Sequence, residues 1–196
     1  MRAARRGREV PIAPDEDGIV PAVSLEGAFF RDNLPERMRD FLAAAFGPAT
    51  LVENLNFVEE ALGMPLGKYL CAKFFADHAK TYRKRPIYWL FESPKGCFRA
   101  FAYLHRMSGA TAGLVRNHYL LPYARHLETR LAALRDKGAE MSAAERRLAK
   151  SLEAAAADCR AYDLALHGQA ERSVALDLDD GVAANYAKYA EVLARL

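Results

Sequence analysis

The sequence predicts an α+β fold that is mainly α. Through most of the 196 residues, apolar side chains recur every three or four positions, which is the spacing of one helix face. In the middle, two aromatic runs flank a Pro-Lys-Gly turn, a pattern typical of a β-hairpin. Near the C-terminus, apolar and polar residues alternate, which favours a strand. We therefore predict a helical subdomain, a central β-hairpin, an antiparallel coiled-coil hairpin and a short C-terminal strand-turn-helix.

The N-terminal segment is basic. The first eight residues contain four arginines and no acidic residue, and we expect residues 1–11 to form a flexible basic arm. A frayed terminus and a phosphate-binding arm are both compatible with this composition. Residues 12–21 are rich in turn formers and end in a short extended piece.

Residues 12–110 are predicted to form the helical subdomain with the hairpin inserted near its end. Apolar spacing predicts one helix from Asn33 to Gly47, a second over about 51–62, and a third from about Leu66 into residues 80–85. Pro86 ends the third helix. Residues 87–91 and 98–105 are aromatic runs around the turn at 93–96, so we predict a β-hairpin over about 86–106.

Residues 111–172 are predicted to form the coiled-coil hairpin. Leucines and small apolar residues step by four and three on both sides of Gly138, as in a heptad repeat. Ser142 and Glu145 have the spacing of a capping box at the start of the second helix. Pro122 fits either the first turn of the first helix or a kink within it.

Residues 173–196 are predicted to close the chain as strand, turn and helix, packed on the main domain. Val174, Leu176 and Leu178 alternate with polar residues, residues 179–181 form a turn, and an amphipathic helix follows over 183–196. Aspartates 177, 179 and 180 suit a turn and a helix start, so we predict no metal site.

Motif searches yield no catalytic, cofactor-binding or metal-binding residue. The chain has no G-x-G, no phosphate loop, no N-P-P-Y, no G-x-S-x-G, no C-x-x-C and no H-E-x-x-H. Its three cysteines are far apart, which favours reduced, buried thiols. It also lacks a secretory leader and any run of 18 apolar residues, so we expect a cytoplasmic chain with no membrane partner.

The densest positive charge lies between Lys73 and Arg106, although the whole chain carries only +3. Aromatic residues are interleaved with these cations, a combination that nucleic-acid surfaces use. We predict phosphate contacts with a nucleic acid, DNA or RNA, at Lys80, Arg83, Lys84, Arg85, Lys95, Arg99 and Arg106. Tyr88 and Trp89 are predicted groove or stacking contacts, with a place in the core as the alternative for either. The structural alternative for the cations is a solvated hairpin surface.

The same residues carry a family resemblance. Residues 82–96 (YRKRPIYWLFESPKG) and 102–106 (AYLHR) resemble the C-terminal region of the PglX family, the adenine-specific DNA methyltransferases of bacteriophage-exclusion (BREX) defence systems. Four further stretches fit that region: 14–21 (PDEDGIVP), 53–58 (ENLNFV), 176–182 (LDLDDGV) and 185–188 (NYAK). The predicted heptad hairpin also fits its layout.

The resemblance implies a methyltransferase-related role without activity of this chain alone. In that family, an N-terminal domain with N-P-P-Y binds S-adenosylmethionine and methylates an adenine that must leave the base stack. No residue here matches that domain. The resemblance therefore implies a DNA-binding, target-recognition-type module whose partners are double-stranded DNA and a separate catalytic methyltransferase subunit or other BREX components.

Two alternatives to DNA recognition stay open. In the first, the coiled coil and residues 176–188 form a protein-docking scaffold of a defence complex that does not bind DNA. In the second, the chain is a non-functional gene remnant. The sequence does not separate a split subunit from a free-standing module, but its intact heptads and capping box indicate that it folds. A self-sufficient methyltransferase is disfavoured because the S-adenosylmethionine-binding motif and the N-P-P-Y motif are both absent.

Overall fold

The computed structural model describes residues 16–196, and the predicted basic arm at 1–11 lies outside the described residues. The predicted α+β, mainly helical class is confirmed. Helices α1 (Leu34–Phe46), α2 (Leu51–Leu62), α3 (Leu66–Ala72) and α4 (Phe74–Thr81) form the N-terminal subdomain. The predicted third helix is divided into α3 and α4, because the helix is interrupted at Lys73, where φ is −118°.

The first three helices pack around a small apolar core of their own. Leu42 of α1 meets Leu66 and Leu70 of α3, and residues of α2 cover this cluster from one side. Gly47 and Gly63 follow α1 and α2, and Gly63 has the left-handed conformation that ends a helix readily. The predicted ends of both helices are confirmed.

The central hairpin belongs to a three-stranded antiparallel sheet. Strands β1 (Ile19–Pro21), β2 (Tyr88–Glu92) and β3 (Arg99–Tyr103) are arranged in the order β1-β3-β2. Tyr88 lies opposite Tyr103 at one end of the hairpin, and Glu92 lies opposite Arg99 at the turn. The predicted hairpin is therefore confirmed, with the N-terminal extended piece as its third strand.

Both faces of the hairpin are buried. Trp89 and Phe91 pack edge-on against the rings of Tyr186 and Tyr189 from the C-terminal segment. On the opposite face, the ring of Phe101 contacts Phe74 and Phe75 of α4. A strand covered on both faces has few positions left for solvent or ligand.

The helical hairpin packs on the first of these faces. Its first arm comprises α5 (Thr111–Leu114), a π-helical turn (Val115–Leu120) and α6 (Leu121–Arg135), with Pro122 in the first turn of α6. Its second arm is α7 (Ala143–Arg172), and the predicted capping box between Ser142 and Glu145 is confirmed. The leucines of the predicted repeat are buried between the arms: Leu127, Leu131, Leu134, Leu152 and Leu166.

The C-terminal strand prediction was wrong, and the closing helix is shorter than predicted. Residues 174–177 form no strand, and α8 (Val182–Ala187) ends well before Leu196. The chain instead turns back along the free edge of β2, where the Ala194 N–H donates to the Leu90 carbonyl at 2.9 Å. The Tyr186 hydroxyl, which donates to the Ala194 carbonyl at 2.6 Å, holds this turn. Satisfying a strand edge outweighs continuing a short helix.

Within residues 16–196, no single helix has both the length and the apolar composition to cross a bilayer. The helical segments Leu34–Phe46 and Pro48–Leu62 have that length and composition when taken together, but the pair is bent by 118°.

A buried carboxylate joins the sheet to the helical hairpin. Asp158 of α7 is 3% exposed, and it accepts hydrogen bonds from the Ser93 hydroxyl at 2.5 Å and from the backbone N–H groups of Lys95 and Cys97 at 2.9 and 3.1 Å. Three donors of one turn thus converge on one side chain. The β2–β3 turn is thereby fixed against α7.

We predict that Asp158→Asn lowers the free energy of unfolding by about 2–4 kcal/mol, because an amide cannot accept all three bonds and leaves buried donors unpaired. Urea unfolding measures the change. Glu153→Gln is the matched control on the same helix, since Glu153 is 59% exposed in its pair with Arg135 and should cost less than about 0.5 kcal/mol. Equal losses in the two variants would contradict the role of Asp158.

Candidate nucleic-acid interface

The predicted DNA-contacting residues lie at two opposite ends of the hairpin. Five-residue strands separate these ends by roughly 15 Å. At the turn end lie Lys95 and Arg99. The other end, where β2 begins and β3 finishes, holds Lys80, Arg83, Lys84, Arg85, Tyr88 and Arg106. The cations therefore do not form a single patch.

Residues 80–85 form what we call the basic turn, which connects α4 to β2. Arg83 and Lys84 have positive φ angles of 50° and 61°, a left-handed conformation that costs a side-chain-bearing residue roughly 1–2 kcal/mol. Hydrogen bonds hold the turn in this shape: the Lys84 N–H donates to the Ala79 carbonyl at 2.7 Å, and the Arg85 N–H to the Tyr82 carbonyl at 2.9 Å. The basic side chains of the turn are all exposed.

Aromatic rings lie beside the basic turn. The ring centroid of His78 is 4.7 Å from that of Tyr82 and 5.5 Å from that of Tyr88. Tyr88 is 5.4 Å from Tyr103, which is 5.3 Å from His105. We call these five residues the aromatic row. It runs from the end of α4 across the end of the hairpin.

His78 is the buried member of the row. It is 8% exposed, and its Nε2 accepts a hydrogen bond from the backbone N–H of Tyr88 at 3.1 Å. An accepting Nε2 requires a neutral ring with its proton on Nδ1. Burial lowers the pKa of His78 from its ordinary value of 6.5, which favours the same neutral form.

Arg106 reaches this end of the hairpin from the segment after β3. Its aliphatic stem lies over Gly18, where a Cβ atom would come within 3.0 Å of Arg106 Cδ. The positive φ of Gly18, 71°, and its missing side chain leave room for this approach. Arg106 is exposed beyond that contact.

The turn end offers less free charge. The Arg99 guanidinium is half-buried, pairs with Glu92 at 2.5 Å and donates to the Cys71 carbonyl. The exposed side chain of Lys95 projects from the turn that Asp158 holds. Arg99 is thus engaged within the fold, and Glu92 offsets its charge.

For Trp89, the structure supports the alternative of a place in the core over a groove or stacking contact. Trp89 is fully buried, its indole N–H donates to the Pro86 carbonyl at 3.1 Å, and its ring meets Tyr186 edge-on at 4.9 Å. Its place is in the core, because the C-terminal segment covers that face of the hairpin. Tyr88, which is 40% exposed, keeps the access that a contact requires.

The sequence pattern points to Tyr88 but not to Tyr82, Tyr103 or His105 as part of the candidate site. The missing information is the register of the hairpin, which places Tyr88 directly opposite Tyr103. The two aromatic runs are the available signal, but their turn is too long for its type to be predicted. Tyr82 joins the row only because α4 ends beside the sheet.

Among residues 16–196, no cluster of three or more histidine, cysteine or acidic side chains has an arrangement suited to a metal ion. The Asp177 carboxylate accepts from the Asp179 N–H at 3.0 Å, and the Asp177 N–H donates to the Asn185 side chain at 3.1 Å.

The cysteines are free thiols, and burial raises the pKa of Cys71 to about 11 and that of Cys159 to about 12.

The fold and this surface define a small, mainly helical module whose exposed cations and aromatic rings meet at one end of a sheet. No protein-family profile matches the sequence. The chain is 34% identical, over 97% of its length, to the adenine-specific methyltransferase BrxX of Escherichia coli O9:H4 (strain HS). It is 33% identical, over 89% of its length, to the adenine-specific methyltransferase PglX of Lacticaseibacillus casei (strain Zhang).

The chain is therefore related to a C-terminal piece of the adenine-specific methyltransferases BrxX and PglX. It spans 17% of the length of the first relative and 16% of the second. The family resemblance found in the sequence is thus confirmed.

We predict that His78 makes stability fall in mild acid. Its pKa is lower in the folded than in the unfolded chain, so its contribution is complete above pH 6.5 and is lost as the pH falls towards the lowered value. His78→Gln keeps an acceptor but does not titrate, so urea unfolding of this variant should show a smaller loss between about pH 7 and about pH 5.

The exposed His167 of α7 provides the control. Its side chain is 55% exposed, so His167→Gln controls for the loss of a histidine and should change the free energy of unfolding by less than about 0.5 kcal/mol. A pH dependence that is the same in wild type and His78→Gln would contradict the role of His78.

We also predict opposite effects of glycine at two neighbouring lysines. Lys84→Gly should raise the free energy of unfolding by about 0.5–1 kcal/mol, because relief of left-handed strain exceeds the entropy that glycine adds to the unfolded chain. Lys80→Gly, inside α4, should lower it by about 1 kcal/mol. Urea unfolding distinguishes the signs, and a loss in both variants would show that the turn is unstrained.

Proposed function

We propose that this chain is a DNA-binding, target-recognition-type module of a BREX-like, site-specific adenine DNA methyltransferase that acts in phage defence. The observation that carries the proposal is the basic turn, where exposed cations lie beside exposed aromatic rings. Phosphate contacts supply most of the affinity of DNA-binding proteins, and contacts with bases add specificity.

Each part of the surface has a role in this proposal. Lys80, Arg83, Lys84 and Arg85 bind backbone phosphates, and Arg106 extends their footprint at the same end of the hairpin. Tyr88 contacts a groove or a base. Lys95, at the other end, reaches a phosphate further along the duplex, since roughly 15 Å of strand separates the two ends.

Methyl transfer requires a second component in this proposal. A methyltransferase domain, joined to this module or associated with it, supplies the S-adenosylmethionine site and the pocket for the adenine that has left the base stack. This chain holds the target duplex in position for that domain. We place this activity in the cytoplasm, where bacterial DNA is accessible.

The backbone of the basic turn supports the proposal independently of charge. Arg83 and Lys84 retain a conformation that glycine would adopt at lower cost. Strained positions of this kind persist where a side chain is needed for function. A side chain that costs stability and projects a cation into solvent is expected at a binding surface.

We predict that Lys84→Glu with Arg85→Glu weakens DNA binding at least about tenfold at low salt and flattens the salt dependence. Loss of two phosphate contacts should change the slope of log affinity against log salt by about 1.8. Fluorescence anisotropy of a labelled duplex, measured over a salt series, gives both quantities. The effect should be the same for unrelated duplex sequences, because phosphate contacts carry no sequence information.

A double reversal on α7 controls for net charge. Arg147 and Lys150 are exposed on the helical hairpin, so Arg147→Glu with Lys150→Glu changes the total charge equally but leaves the basic turn intact. This variant should retain most of the affinity and slope. Equal losses in both double variants would mean that charge acts at long range, and absence of binding by the wild type would favour the docking scaffold.

A further inference from the structure

We infer that the aromatic row stacks on unpaired bases, so that this surface binds single-stranded or locally opened DNA more tightly than closed duplex. This inference rests on the proposed function and names the form of DNA that the site prefers. It depends on the exposure of the row, on its hydroxyl groups and on its position beside the basic turn.

Two tyrosines of the row are exposed where the middle of the sheet is not. Tyr82 and Tyr88 are 42% and 40% exposed, whereas the next residue of β2, Trp89, is fully buried. The cause is geometric: α4 ends at Thr81, so it covers the middle of the hairpin but not its end. Contiguous aromatic surface left in water is typical of a binding site.

The tyrosines of the row differ from the other tyrosines in the hydrogen bonding of their hydroxyl groups. Outside the row, every tyrosine hydroxyl donates a hydrogen bond to a protein oxygen: Tyr69, Tyr119, Tyr123, Tyr162, Tyr186 and Tyr189. Within residues 16–196, the hydroxyls of Tyr82, Tyr88 and Tyr103 make no hydrogen bond to another residue. Buried tyrosines require such a partner, and these three are left available to solvent or ligand.

The basic turn supplies the second half of a single-strand site. Arg83, Lys84 and Arg85 directly follow Tyr82 and precede Tyr88 by a few residues, so cations flank the rings on the side of the turn. Proteins that bind single strands combine a basic track for phosphates with aromatic rings for bases. In closed duplex the faces of the bases are covered by their neighbours, so the rings of the row have no stacking surface there.

Unpaired bases are also required by the reaction of the family. An adenine that leaves the duplex for methylation leaves an unpaired thymine and an opened step behind. A stacking surface next to phosphate-binding cations would stabilise that opened state. The row thus fits a role in holding distorted DNA, in addition to binding its backbone.

Fluorescence anisotropy with three labelled probes tests the inference on the full chain. The probes are one oligonucleotide, its closed duplex, and the same duplex with a short central mismatch bubble. We expect the wild type to bind the single strand and the bubble about 5- to 150-fold more tightly than the closed duplex, the range given by stacking of one base. Equal affinity for all three probes would overturn the inference.

Two tyrosine variants assign that preference to the row. Tyr88→Leu removes the π face and should reduce the preference for the bubble over the closed duplex at least about fivefold. Tyr88→Phe keeps the ring and should retain the preference. Tyr82 lies outside the sheet, at the end of α4. Tyr82→Leu therefore tests stacking by the row if the Tyr88→Leu variant does not fold. Equal losses for all probes in the leucine variants would overturn stacking.

The outcomes separate this inference from the proposed function. Salt-dependent binding of all three probes without a preference would remove the stacking role and leave the DNA-binding module intact. Absence of binding to any probe would overturn both. The wild type could prefer the bubble, and Lys84→Glu with Arg85→Glu could weaken that preference without abolishing it. This result would support both the stacking inference and the proposed function.

Discussion

The contact between Asp158 and the β2–β3 turn connects the two halves of this molecule. The sheet belongs to the N-terminal half, and α7 belongs to the helical hairpin. The buried carboxylate of α7 accepts three hydrogen bonds from the β2–β3 turn of the sheet. With one end of the hairpin fixed in this way, the position of its other end follows from the length of the strands. That other end carries the basic turn and the aromatic row, so the surface depends on a contact roughly 15 Å away.

Coverage of the sheet decides which aromatic residues are accessible. The C-terminal segment closes one face over Trp89, and α4 closes the other over Phe101. Because α4 ends before the hairpin does, Tyr88 and Tyr103 remain beside solvent, with His78 beneath them. The chain then reaches β2 through a turn in which two basic residues adopt left-handed backbone angles. A short helix and a strained turn together create the exposed surface.

The relation to BrxX and PglX gives this surface its context. The chain corresponds to about one sixth of those proteins, and the motifs of methyl transfer are absent from its sequence. In the function proposed above, the module contributes by binding DNA, and the distribution of its charge supports that proposal. The net charge of +3 conceals this feature, because basic residues concentrate around the hairpin while acidic and basic residues balance along the helical arms.

The sequence by itself determined the local elements: α1 and α2 with their glycine ends, the capping box of α7 and the hairpin. Each depends on interactions between residues close in the chain, which periodicity and turn residues reveal. Only the tertiary structure decided that residues 190–194 leave the helix to join β2, that Trp89 belongs to the core and that Tyr82, Tyr88 and Tyr103 share a surface. These outcomes depend on which distant segment covers each face and edge of the sheet, and alternation along a strand does not encode its covering partner.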